Sequence, residues 1–415
     1  MNEKAVEKVM RNCTLCPRNC GADRTTGTGA CGAGEQMVIA RAALHFWEEP
    51  VISGSRGSGA VFFSGCNLGC VFCQNAAISH VSESKNNGAE DTHRYTDKKG
   101  ANPQRNGENQ PGKTVSIEKL AEIMLRLQNT EGANNINLVT AAHYAPQVAA
   151  ALETAKVKGL TIPVVYNSSG YEKAETLRFF DGLVDVYLPD FKYATPELAA
   201  KLSKAPDYPA IATAALDEMV RQAGEAEFYT EEPFPMKTEV KQQLTESPAE
   251  GNYCSEAVEE QRLAETLTYE GKMADDMGTK DGKTGACRQG VYPPGGQLIR
   301  KGVIVRNLLL PGHVHESERV LSFLHERYGD SIYISIMNQY TPMPVFTAQL
   351  ERQQEAGRGN PMDADLANLG RRVTKREYER LLDFAINIGI QNGFTQEGGT
   401  AKTSFIPSWN GEGVD

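Results

Sequence analysis

Three cysteines spaced Cys66-x3-Cys70-x2-Cys73 follow a short apolar, strand-like stretch at 60–63. Three thiolates ligate three irons of a [4Fe-4S] cube, whose usual full set is four cysteines, and leave the fourth iron open to a small molecule. The competing reading is part of a zinc site or a set of packed thiols. Four more cysteines, Cys13, Cys16, Cys20 and Cys31, form CxxCx3Cx10C in a turn-rich segment. Four thiolates saturate a tetrahedral ion, and the spacing suits structural zinc, an auxiliary iron-sulfur cluster or a rubredoxin-like iron, against reduced thiols packed without metal. Cys254 and Cys287 have no local partners and read as free surface thiols.

The elements that must hold these thiols alternate strand and helix, as in repeated βα units around a parallel sheet. Strands are expected at 60–64, 135–139, 163–166, 184–188, 299–310 and 333–337, and helices at 117–127, 148–157, 172–180 and 318–328. Ser116 is placed to cap the helix at 117–127, whose apolar residues Ile117, Leu120, Ile123, Met124 and Leu127 fall on one face. No further strand-helix pair is evident beyond 337. Six units predict an α/β fold, a partial (β/α)6 TIM-like barrel open at one side. Chemistry in such a fold gathers at the carboxyl ends of the strands, where the cysteine loop falls. Thr374 to Glu377 forms a capping-box pattern opening an amphipathic helix to 387, expected on the barrel exterior. Segments 82–113 and 226–296, rich in Gly, Asn, Glu, Lys and Thr, read as surface insertions. The division is then a four-cysteine segment at 1–50, the barrel at 51–345 and an extension at 346–415.

At 415 residues, 40% hydrophobic and 23% charged, the chain has the composition of a globular enzyme. No run approaches 18 apolar residues, and the first residues lack the apolar segment of a signal peptide, so a cytoplasmic location without membrane association is expected. Seven of nine cysteines lie within the first 73 residues, which fits reduced, metal-binding thiols better than a secreted disulfide framework. A net charge of -10 disfavours nucleic acid as a partner.

The runs Cys13-Thr14-Leu15-Cys16-Pro17-Arg18-Asn19-Cys20 and Phe62-Phe63-Ser64-Gly65-Cys66-Asn67-Leu68-Gly69-Cys70-Val71-Phe72-Cys73-Gln74-Asn75 resemble the PflX-type branch of the radical S-adenosylmethionine (SAM) enzymes, related to pyruvate formate-lyase activating enzymes. Similar stretches at 135–140, 164–171, 185–193 and 336–340 extend the resemblance over nearly the whole chain outside the two insertions. It implies a [4Fe-4S] cluster on Cys66, Cys70 and Cys73, and SAM on its open iron. Phe72 stands where an aromatic ring lies near the adenine. Asp190 and Lys192 match an Asp-x-Lys that contacts the ammonium and carboxylate of SAM, opposite charges suited to a zwitterion. An Asp and a Lys two apart on a strand are otherwise a surface pair. Asn167, Ser168 and Ser169 occupy the place of a Thr-Asn-Gly turn beside SAM, and Gln339, with Tyr340, ends strand six near the adenosine. Where many relatives carry Gly-Gly-Glu-Pro this chain has Thr140-Ala141-Ala142-His143-Tyr144, so that His143 and Tyr144 are candidates for the missing polar contacts. Arg306 to Gly312 resembles the fifth-strand segment, with Asn307 where a histidine is expected.

The implied activity is reductive cleavage of SAM to a 5'-deoxyadenosyl radical that abstracts hydrogen, with flavodoxin or ferredoxin as reductant. The target implied is a backbone glycine of a glycyl radical enzyme. The alternatives are a radical modifier of a peptide or small molecule, or a non-catalytic metal-binding scaffold.

Overall fold

The computed structural model describes residues 9–79, 111–231, 296–342, 347, 364–396, 409 and 411–414. Cys254, Cys287 and most of both expected insertions lie outside them.

Among the described residues ten strands, β1 (Met37–His45), β2 (Ser58–Phe63), β3 (Lys113–Val115), β4 (Ile136–Val139), β5 (Val164–Ser168), β6 (Val186–Pro189), β7 (Glu227–Thr230), β8 (Gln297–Leu308), β9 (Tyr333–Met337) and β10 (Gly393–Thr395), make one sheet. Its order is β10-β9-β8-β6-β5-β4-β2-β1-β3, with β7 on β8. From β2 to β10 every pairing along that path is parallel, while β1, β3 and β7 pair antiparallel. The chain is therefore α/β with a mostly parallel central sheet. All six expected strands are present. The expected end at the sixth is corrected by β10, a three-residue strand parallel to β9. The outer ends of both expected insertions are also ordered, as β3 and β7.

Parallel strands buried on both faces read as continuous apolar runs rather than alternations. Here Val164, Tyr166 and Tyr187 join the main core under the helices, while Val165, Val186 and Leu188 pack on the opposite face with Ile299 and Ile304. That second face is closed by Val51 and Ile52 of a helical turn, Pro50–Ser53.

Helices α1 (Ile117–Asn129), α2 (Ala145–Val157), α3 (Pro196–Ser203), α4 (Tyr208–Ala223), α5 (Val314–Tyr328) and α6 (Lys375–Asn387) connect or flank the strands. Ser116 caps α1 by accepting the Lys119 N–H, and Leu120, Ala121, Ile123, Met124 and Leu127 are buried. The capping box of α6 forms in both directions between Thr374 and Glu377. The Tyr378 hydroxyl of that helix donates to the Ile336 carbonyl at 2.9 Å, tying α6 to β9. The helix expected at 172–180 is shorter than the apolar pattern predicted, a turn at Ala174–Leu177 running into a 3-10 turn at Arg178–Phe180. Helices α3 and α4 had no counterpart in the sequence reading; each begins with Pro in its first turn, where the missing N–H costs nothing.

The antiparallel edge of β1 is extended by residues 411–414. Ala42 donates its N–H to Glu412 (2.9 Å), Gly411 donates to Ala40 (3.2 Å), and Arg41 pairs with the Glu412 carboxylate (3.0 Å). Among the described residues no helix is long and apolar enough to cross a membrane.

Candidate functional site

The loop carrying Cys66, Cys70 and Cys73 leaves the carboxyl end of β2 through Gly65, whose φ of 94° favours glycine. Its backbone is fixed on several sides. Cys66 donates its N–H to the Cys31 carbonyl (3.2 Å), Val71 donates to Leu202 (2.9 Å), and the Asn67 side chain donates to the Tyr171 carbonyl (2.7 Å). The thiols have partners as well: Ser203 Oγ donates to Cys70 Sγ at 2.9 Å and Ser79 Oγ lies 3.3 Å from Cys73 Sγ. Burial pushes all three thiols above the usual cysteine range, Cys73 to about 11, and the Lys192 ammonium opposes that rise at each of them. One cation thus favours thiolate at all three positions.

Lys192 belongs to a buried charge network at the ends of β6 and β8. Its Nζ lies 2.5 Å from Asp190 Oδ2, and Arg306 Nε donates to Asp190 Oδ1 at 3.0 Å. Arg306 also reaches Asn167 Oδ1 (2.6 Å) and Glu48 Oε2 (3.2 Å), and the amides of Asn137 and Asn167 donate to Glu48 Oε1 at 3.1 and 3.2 Å. Burial opposes ionisation of Asp190, but Lys192 and Arg306 together outweigh it and hold this carboxyl below its ordinary range. The balance is reversed at Glu48 and Glu49, where burial wins and both carboxyls are raised. The Asp190 and Lys192 side chains are only 22% and 14% exposed, so they are not a surface pair.

Thiols and charge network line one cavity of about 250 Å³. Cys66, Cys70, Cys73, Phe72, Asn167, Ser168, Ser169, Asp190, Lys192 and Gln339 all contribute to its wall. Phe72 meets the Tyr340 ring edge-on at 6.4 Å, and Tyr340 is tied down by its hydroxyl to Leu369. His143 does not line the cavity. It is buried behind the cysteine loop, its Nε2 donating to the Ser64 carbonyl at 2.8 Å, and burial lowers its pKa to about 3, so the ring is neutral. Tyr144 is likewise core, packed on Phe63. Of that loop only Thr140 faces the cavity, at a φ of 61° that a β-branched residue rarely adopts.

Sequence reasoning missed Glu48, Glu49, His45 and Trp47, which also line the cavity, and assigned no role to Arg306. The available signal was charge in an apolar setting: Arg306 interrupts Val303-Ile304-Val305 and Leu308-Leu309-Leu310, and a buried charge in a strand requires a partner.

The amino-terminal cysteines fold as a tight hairpin in which Cys13 bridges Ala22. Cys13, Cys16 and Cys31 are buried and Cys20 half-buried, and all seven described cysteines are free thiols. Among the described residues no three His, Cys, Asp or Glu side chains are already gathered tightly enough to grip a metal. In the cysteine loop the donor set still fits a cluster chemically: three thiols, a cation that favours their thiolates, and an adjoining cavity.

No protein-family model matches the chain. An uncharacterized protein of Methanocaldococcus jannaschii is 32% identical over 202 residues, covering 49% of this chain and 52% of that protein. The chain thus spans about half the length of the curated relative it matches.

Proposed function

We infer that this chain is a radical SAM enzyme built on a partial (β/α)6 barrel. The observation that carries the reading is the meeting of a CxxxCxxC triad and a buried Asp190–Lys192 pair in one cavity at the carboxyl ends of parallel strands. Cys66, Cys70 and Cys73 would hold a [4Fe-4S] cluster; when bound with SAM it supplies reductive cleavage to a 5'-deoxyadenosyl radical. Asp190 and Lys192 are each other's partners in this structure. A zwitterion inserted between them exchanges one ion pair for two, with Asp190 facing the ammonium and Lys192 the carboxylate. Arg306 and Asn167 keep Asp190 and Glu48 in place while that exchange occurs. Ser168, Ser169, Phe72 and Gln339 complete the wall around the nucleoside.

The reductant in this reading is a flavodoxin or ferredoxin, the setting is the reducing cytoplasm, and a glycine of a glycyl radical enzyme is the hydrogen donor. Anaerobic reconstitution with iron and sulfide, followed by dithionite and SAM, is expected to yield 5'-deoxyadenosine from the native chain. A Cys66→Ala, Cys70→Ala, Cys73→Ala variant should yield none. A reduced cluster whose EPR signal is unaltered by SAM, with no product, would establish the metal-binding scaffold instead. A glycyl-radical EPR signal on a partner from the same cell tests the choice of hydrogen donor.

A further inference from the structure

Arg24 is 1% exposed, and among the described residues no carboxylate pairs with it. Its Nε and Nη2 donate to the Gly34 carbonyl at 3.0 and 2.6 Å, Nη1 donates to the His143 carbonyl, and its guanidinium sits 5.2 Å from the centre of the Tyr144 ring. The acidic groups it faces are thiols: Cys13 Sγ lies 3.8 Å from Nη1, and Cys31 also acts on it electrostatically. A guanidinium stays charged, and burying it requires a compensating anion. Beside Arg24, the groups able to supply one are the sulfurs.

The sulfurs lie close in pairs, although no three of them are gathered tightly enough to grip an ion. Cys20 Sγ donates to the Cys13 carbonyl at 3.9 Å, and Cys20 and Cys31 meet beside Gly29, where an added Cβ would lie 3.5 and 3.4 Å from their sulfurs. Sulfurs on a single tetrahedral ion, with metal–sulfur bonds near 2.3 Å, stand about 3.8 Å apart. Those of a cubic cluster are spread over separate irons.

We propose that Cys13, Cys16, Cys20 and Cys31 bind one tetrahedral divalent ion, zinc or ferrous iron, with Arg24 as its buried counter-charge. The tetrathiolate complex carries a charge of -2, and Arg24 offsets half of it. The same centre anchors the catalytic loop. The carbonyl of Cys31 accepts the N–H of Cys66, and Arg18, two residues after Cys16, donates to the Asn67 carbonyl at 2.7 Å and to the Lys204 carbonyl at 2.6 Å.

The test uses the full chain carrying Cys66→Ala, Cys70→Ala and Cys73→Ala, so that only the amino-terminal thiols can bind and the outcome is independent of SAM chemistry. Titrated with cobalt(II), it should take up one ion per chain with thiolate-to-metal charge transfer and the ligand-field spectrum of a tetrahedral tetrathiolate. Metal analysis after growth with zinc or with iron identifies the resident ion. Adding Cys16→Ser should abolish the tetrathiolate spectrum. Adding Arg24→Met should weaken cobalt binding about tenfold or more in chelator competition, as loss of an outer-shell partner does, while Arg24→Lys restores most of it. A folded triple variant, judged by circular dichroism, that binds no ion or binds it octahedrally overturns the proposal. Equal weakening by Arg24→Met and Arg24→Lys overturns the counter-charge role.

Discussion

The two cysteine regions touch through the Cys66 N–H on the Cys31 carbonyl and through Arg18 on the Asn67 carbonyl, yet their surroundings are opposite. The hairpin thiols face a buried arginine and packed backbone. The loop thiols face a cavity of about 250 Å³ lined by an ion-pair network. Four ligands in a closed shell leave an ion nothing to do except hold the fold, whereas three ligands beside an open cavity leave a coordination position for a reactant. On the proposed reading, ligand count and adjoining space, rather than cysteine chemistry, would separate a structural centre from a reactive one.

The sharpest way to break this comparison is to remove one ligand from each side. Cys70→Ala should abolish 5'-deoxyadenosine formation while leaving one ion per chain at the hairpin, read by product assay and metal analysis on the same sample. Asp190→Asn, which strands Lys192 in the cavity wall, should raise the SAM dissociation constant by at least about 30-fold in isothermal titration, because one partner of a buried charge pair is lost. Hairpin metal content should not change.

Glu172 tests the strip between the two regions. The preceding residue, Tyr171, accepts from Asn67 of the loop and lies under Arg18 of the hairpin. Burial raises the Glu172 carboxyl from an ordinary 4.5 to about 7, and Tyr166 donates to it at 2.6 Å. The folded chain therefore retains a proton that the unfolded chain loses above pH 4.5. The stability tied to that proton is fully present below pH 4.5 and is lost as the pH rises through 7. Glu172→Gln keeps an acceptor for Tyr166 without the charge, so its stability relative to the native chain should improve by up to roughly 3 kcal/mol between pH 5 and pH 8 in urea denaturation. The smallest effect is expected at Thr140. Glycine relieves its left-handed backbone but gives up chain entropy, so Thr140→Gly should stabilise by less than about 1 kcal/mol in the same measurement.

Much of this was legible in the sequence because the relevant signals are local. The spacing Cys66-x3-Cys70-x2-Cys73, the Ser116 and Thr374 caps and the apolar runs of β4, β5, β6 and β9 each specify their structure within a few residues. What escaped has a non-local cause. β3 and β10 are three residues long and exist only because a neighbouring strand offers hydrogen bonds. β1, Met-Val-Ile-Ala-Arg-Ala-Ala-Leu-His, is apolar on both faces and has no period that separates strand from helix. Glu48 and Glu49 enter the cavity from the turn after β1, and nothing around them signals their distance in sequence from Arg306. His143 drew attention as a histidine beside a motif position, and its ring is spent on the Ser64 carbonyl.

The clasp of residues 411–414 on β1 joins Arg41 to a residue 371 positions away. So long a loop is costly in entropy to close and is repaid only once the intervening sheet exists, which places this contact late in folding. It should also be among the first to open in the native state, giving the edge of the sheet beside Phe62 a local unfolding equilibrium of its own, separate from that of the parallel core.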